Sequence, residues 1–178
     1  ELNAARLLSG ACAVYGLQTL SAHLRLLPER DPHPRLFETF AVILQHLDDE
    51  TLAAELIVRF ELLILDELGF GLDLSRCAAT GSAEQLVFVS PKSGRAVSRL
   101  AGHPYADRLL PLPAFLHGRA GLGGDLDAVE AAFRLTGYFF TRHVYEPRGI
   151  EPPQTRAGFL AALRRSRPAV DVAVNQET

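Results

Sequence analysis

At 178 residues, with 48% apolar side chains, the chain is long enough for one compact domain with a sizeable core. A formal net charge of −3 and a pI near 6.1 exclude a uniformly basic nucleic-acid binder, while leaving room for a local basic face. Charged residues interrupt the long apolar runs, so nothing reads as a membrane span or signal peptide, and Cys12 and Cys77 fit a reducing cytosol rather than a disulfide scaffold.

The chain opens Glu-Leu-Asn inside a helical pattern, as a fragment or a processed protein would. From Leu2 to Leu27, apolar residues at Leu7, Leu8, Ala11, Val14, Tyr15, Leu17, Leu20 and Leu24 recur at steps of three and four, which predicts an amphipathic helix. Pro28 to Arg35 holds three prolines and reads as a turn, followed by a second helix over Leu36–Leu47. A third helix follows from Asp48 to Leu68, N-capped by Asp48 or Asp49 and ended by Gly69 and Gly71. Its apolar residues cover nearly the whole circumference, the mark of a buried central helix.

After Gly71 the pattern changes to two small-residue turns around the apolar run Leu86 to Val89, which predicts a β-hairpin between about Leu74 and Ser98. A short apolar segment breaks at Pro111 and Pro113. The glycines from Gly118 to Gly124 read as a flexible loop, since they lack the lysine of a phosphate loop. A fourth helix is N-capped by Asp125 or Asp127 and stopped by Pro147-Arg148-Gly149, and a short final helix spans Thr155 to Arg165. The tail beyond it reads as disordered. The expectation is a mainly α fold, a helical bundle around a buried central helix with a small inserted β-hairpin.

No catalytic constellation emerges. His23, His33, His46, His103, His117 and His143 form no HxxxH pair, and Asp66-Glu67 reads as a solvated patch. Cys77-Ala-Ala-Thr80-Gly81 has the outline of a zinc knuckle whose second thiolate is replaced, and Ser98-Arg-Leu-Ala101 stands where a second knuckle would fall. Zinc needs four ligands in a closed site, so neither a metal nor another cofactor is expected.

The segments RFELLILDELGFGLDLSRCAATG, FVSPKSGRAVS, PYADRLLPLPAFL and LTGYFFTRHVYEPRG together resemble the bacterial RecO family of recombination mediators, from about Leu7 to Leu163. The resemblance implies an N-terminal OB-fold, which this chain lacks, and a helical C-terminal domain carrying an inserted zinc-ribbon-like hairpin. On that basis residues 1–71 and 106–165 form the helical domain, 72–105 the hairpin with its zinc ligands lost, and 166–178 the tail. The implied role is non-enzymatic DNA repair and recombination in the RecF pathway: binding single-stranded-DNA-binding protein (SSB), annealing strands, and loading RecA with RecR. The implied setting is cytoplasmic and nucleoid-associated, with weak single-stranded-DNA binding in the absence of the OB-fold.

The resemblance also implies a groove for the acidic, phenylalanine-ended tail of SSB. Arg59, Leu62, Leu65 and Leu68 lie at three-residue steps on the central helix, an apolar floor with an arginine at its rim. Periodicity alone favours the core for at least half of these leucines. A second set, Arg142, His143, Arg148, Arg164 and Arg165, with Arg134, Arg156 and Arg167 around it, has the makings of a phosphate-tracking face or of a solvated surface. A helical protein–protein interaction module without DNA binding is the competing reading.

Overall fold

The computed structural model describes residues 10–117 and 125–166, so the predictions for residues 1–9, the glycine-rich 118–124 segment and the 167–178 tail, Arg167 included, lie outside the described residues. Three helices come first: α1 (Ala11–Leu24), α2 (Pro34–Gln45) and α3 (Glu50–Glu67). A small sheet follows, with β1 (Leu86–Val89), β2 (Ala96–Ser98), a turn of helix α4 (Arg99–Gly102), a 3₁₀ segment (His103–Arg108) and β3 (Leu110–Pro111). Another 3₁₀ turn (Ala114–Leu116) leads to α5 (Leu126–Phe140), which runs on through a π-helical turn (Thr141–Tyr145) into α6 (Glu146–Arg148). The last described helix is α7 (Gln154–Ser166).

The helix α3 is the centre, as its all-round apolar sequence predicts. The Asp49 side chain accepts from the Leu52 backbone N–H and caps its start, and Asp125 caps α5 in the same way through Ala128. Ala53, Ala54, Ile57, Val58, Phe60, Ile64 and Leu65 are all buried, and α3 packs against α1, α2 and α5. Helix α2 starts at Pro34, inside the stretch read as a turn. A proline at the first helical position gives up only an N–H that has no intrahelical partner, so it opens this helix rather than blocking it.

Helices α1 and α7 lie in close contact. Gly158 makes this possible, because a Cβ there would stand 2.6 Å from the Tyr15 ring. No side chain fits in that space.

The hairpin is antiparallel, in the strand order β2-β1-β3, with a bulge between Leu86 and Phe88. The third strand is a finding that the sequence does not announce, because two residues ending in proline carry no strand pattern. Pro111 opposite Phe88 is tolerated because β3 is an edge, where an N–H can be missing from the ladder. The sheet is tied to the end of α3 through Asp73, whose N–H donates to the Gly94 carbonyl at 3.1 Å and whose carbonyl accepts from Ala96 N–H at 2.8 Å. Leu86, Val89, Ala96 and Val97 extend the helical core into the sheet.

At the middle of that core sits a charge. Glu61 on α3 is 0% exposed. Arg156 on α7 grips it with two bonds, Nε to Oε1 at 2.7 Å and Nη2 to Oε2 at 3.1 Å. Thr136 Oγ1 on α5 donates to the same carboxylate, and Arg156 Nη2 also reaches the Phe133 carbonyl and Thr136 Oγ1. The guanidinium lies 4.9 Å from the centre of the Phe133 ring. From α1, the buried His23 places Nε2 3.6 Å from Glu61 Oε1. One carboxylate therefore joins four helices.

Burial works against ionising Glu61, but the Arg156 charge and the hydrogen bonds from Arg156 and Thr136 outweigh it and hold the carboxyl below its ordinary range. Burial likewise pushes the His23 imidazole below its ordinary value; Glu61 resists that shift and Arg156 reinforces it. Arg156 is thus held inside the fold by Glu61 and is not one of a DNA-facing set of surface cations.

Two outcomes follow. Arg156→Ala leaves a buried carboxylate uncompensated and should cost about 3–5 kcal/mol in urea denaturation, with Arg156→Lys between it and wild type; a loss under about 1 kcal/mol would contradict this account. His23 stays neutral in the fold but takes a proton in the unfolded chain, so stability should fall once pH drops below its ordinary 6.5. Glu61 adds a further loss only at more acidic pH, below its ordinary 4.5. Denaturation midpoints at about pH 7.5 and about pH 5.5 check it, His23→Gln flattening the difference by the share that one histidine holds.

Candidate functional site

The outward side of α3 carries an open cleft of about 360 Å³, lined by Arg59, Leu62, Leu63 and Asp66 from the helix and by Leu72 and Leu74 from the segment beyond Gly71. A helix turns about 100° per residue, so positions 62, 63 and 66 stay within about 60° of Arg59, while position 65 lies about 120° away and 68 about half a turn away. Leu65 is accordingly 0% exposed, in the core, and Leu68 packs against that core. Repeated steps of three drift around a helix; alternating threes and fours do not. The missing floor residues, Leu63, Leu72 and Leu74, were legible only in part. Leu63 follows from adding a step of four, whereas Leu72 and Leu74 reach the cleft by the chain's return after the glycine turn.

Arg59 is half-buried at one end, where its Nη2 donates to the Phe115 carbonyl. Its Nε is buried without a hydrogen-bond partner. Asp66 lies on the same face, exposed, and among the described residues neither a hydrogen bond nor an ion pair holds its carboxylate. Its neighbour Glu67 is not part of a merely solvated patch: it pairs with His33 Nδ1 at 2.8 Å and fastens the proline-rich turn to the end of α3. The cleft thus joins an apolar floor to a cation at one end and an anion at the other.

The basic residues do not gather into one free face. Arg164 Nε is 2.6 Å from Glu130, which Arg134 also approaches at 3.9 Å. Arg148 donates to the Leu26 carbonyl at 2.9 Å, closing the end of α6 on the loop after α1. His143 is stacked between Phe70 and Phe139, with ring centroids 5.0 and 5.9 Å away. Arg142 and Arg165 are exposed.

A model of the C-terminal domain of recombination protein O matches residues 7–149. The chain belongs to the RecO family. It is 68% identical over 165 residues to the DNA repair protein RecO of Mesorhizobium japonicum, covering 93% of this chain and 65% of that protein. It is 62% identical over 168 residues to the RecO of a Chelativorans species, and 55% over 163 residues to that of Brucella abortus, covering 94% and 92% of this chain and 68% and 66% of those proteins. No solved structure matches.

The expected inserted hairpin is present as a small antiparallel sheet, and the residues around Cys77 do not fit zinc. Cys77 is buried, and its sulfur accepts from the Ser98 N–H at 3.2 Å and lies 3.4 Å from Ser98 Oγ. Hydroxyls therefore stand beside the sulfur where thiolates would be needed. Among the described residues no three His, Cys, Asp or Glu side chains come together as a metal site. Burial opposes a thiolate at Cys77, yet hydrogen bonds from Ser98 and Thr80 outweigh it and pull the thiol down to about 6. Cys12 goes the opposite way: burial, then Glu50, push it up to about 12. An ultraviolet titration of thiolate absorbance should therefore show one thiol ionising at mildly acidic pH, and Ser98→Ala should move that transition up towards the ordinary 9.0. An unmoved transition would refute the role given to Ser98.

Proposed function

We propose that this domain is an adaptor in recombinational DNA repair, and that the cleft on α3 receives the C-terminal tail of SSB. The observation that carries the reading is Arg59. A half-buried guanidinium stands at the end of an apolar floor, and a tail that ends in an apolar side chain and a free carboxylate suits both. The relatives are named DNA repair proteins and this chain spans about two thirds of their length, so strand annealing, RecR binding and RecA loading are proposed for the protein as a whole. The adaptor reading needs no catalytic group. Among the described residues no helix is long and apolar enough to cross a membrane.

In this reading single-stranded DNA is a weak ligand, held mainly by Arg142 and Arg165. Arg148 and Arg164 are already engaged within the fold, which is the observation that favours the second reading, an interaction module that does not bind DNA. The two differ in salt dependence: phosphate contacts release counterions and give oligonucleotide binding a steep slope, and a pure interaction module gives none.

The tail-binding reading is tested by fluorescence anisotropy with a labelled acidic peptide ending in phenylalanine. Arg59→Ala should leave a folded protein by circular dichroism and weaken peptide binding about 10- to 150-fold, the cost of a charge-assisted bond. Equal binding by the variant, or no saturable binding by wild type, would remove the cleft from this function.

A further inference from the structure

We propose that Phe115 is the positioning residue of the cleft: its backbone carbonyl holds the Arg59 guanidinium ready for a carboxylate, so the inserted sheet sets how strongly the site reads a peptide's C-terminal end. The inference rests on the reading of the cleft as the site of an SSB tail and deepens it. Arg59 Nη2 donates to that carbonyl, which lies 56 positions further along the chain. Arg59 Nε is buried, so an incoming carboxylate meets the fork from its Nη1 and Nη2 end. The Phe115 oxygen fixes the direction in which that end points.

The carbonyl is itself held on both sides. Leu112, Phe115 and Leu116 are buried. Leu116 N–H donates to the Pro113 carbonyl at 3.1 Å and His117 N–H to the Ala114 carbonyl at 3.3 Å, which closes the 3₁₀ turn. Just past β3, Leu112 N–H donates to the Val87 carbonyl of β1 at 2.9 Å. Hydrogen bonds therefore tie the sheet to the turn, and the turn to the cation of the cleft.

An unrestrained arginine samples many rotamers, and a ligand that binds it must offset the freedom lost. The Phe115 bond removes much of that freedom before the ligand arrives. Its effect falls on the carboxylate contact, because Leu62, Leu63, Leu72 and Leu74 receive an apolar side chain whether or not the guanidinium is aimed. By reciprocity, a carboxylate that prefers the aimed guanidinium also tightens the turn that aims it.

The test uses two labelled acidic peptides ending in phenylalanine, identical but for the end group, one a free carboxylate and one an amide. Wild type should prefer the free acid by about tenfold or more, the scale of a charge-assisted bond. Replacing Leu116 by its α-hydroxy counterpart turns the Phe115 carbonyl into an ester carbonyl, a weaker acceptor, and removes the Leu116 N–H. The same replacement at His117 removes a comparable N–H and leaves the Phe115 amide intact, so it is the control. The Leu116 ester should lose about threefold or more of the preference, and the His117 ester should keep it. In the unmodified protein the free-acid peptide should slow hydrogen exchange at the Leu116 and His117 amides more than the amidated peptide does at equal occupancy; if the ester fails to fold by circular dichroism, this comparison decides alone. A full preference in a folded Leu116 ester, or equal protection by the two peptides, overturns the role of Phe115 and leaves the cleft reading standing. If wild type binds neither peptide saturably, or both alike, the carboxylate reading of the cleft fails, and this role fails with it.

Discussion

The bidentate grip of Arg156 on Glu61 is the constraint around which the helices are arranged. A carboxylate with no solvent exposure is tolerable only when a cation and additional donors meet it, and here these come from α7 and α5, with His23 of α1 alongside. Because the bonds are directional, they specify which helices surround α3 and at what height, something the leucines and phenylalanines around them do not do. Apolar contacts supply most of the burial; the polar cluster supplies the register.

The cleft inherits its geometry from the same helix. Glu61 faces inward, and Arg59, Leu62, Leu63 and Asp66 face away from it, so the residue that fixes the rotation of α3 also fixes which side chains are offered outside. The opposite wall comes from Leu72 and Leu74, held in place by the backbone pairing of Asp73 with the hairpin. The inserted sheet therefore does more than decorate the bundle. It completes one side of the candidate site, and the hydrogen-bonded Cys77 turn behind it helps to hold that side in shape.

What was legible in the sequence was what depends on neighbours along the chain. The span of α3, the aspartate caps of α3 and α5, and the hairpin turns all follow from local patterns. Features that depend on contacts distant in sequence were hidden. Arg156 has the same surroundings in the chain as a surface arginine, and only the packing of α7 over Gly137 and Phe133 turns it inward. The edge strand at Leu110–Pro111 exists because β1 has a free side for it. For the candidate site, Arg59 and Leu62 were readable from spacing, but Leu65 was misplaced by the drift of three-residue steps, and the far wall had no local signal at all.

The distance along the chain between Glu61 and Arg156 bears on synthesis. These partners are 95 positions apart. At about 5–20 residues per second, a ribosome delivers the arginine about 5–20 s after the glutamate. During that interval α3 and its neighbours α1 and α2 are already made, but the carboxylate at their centre has no guanidinium to meet it. Final commitment of the core therefore waits for the last described helix, which brings the guanidinium that the carboxylate needs.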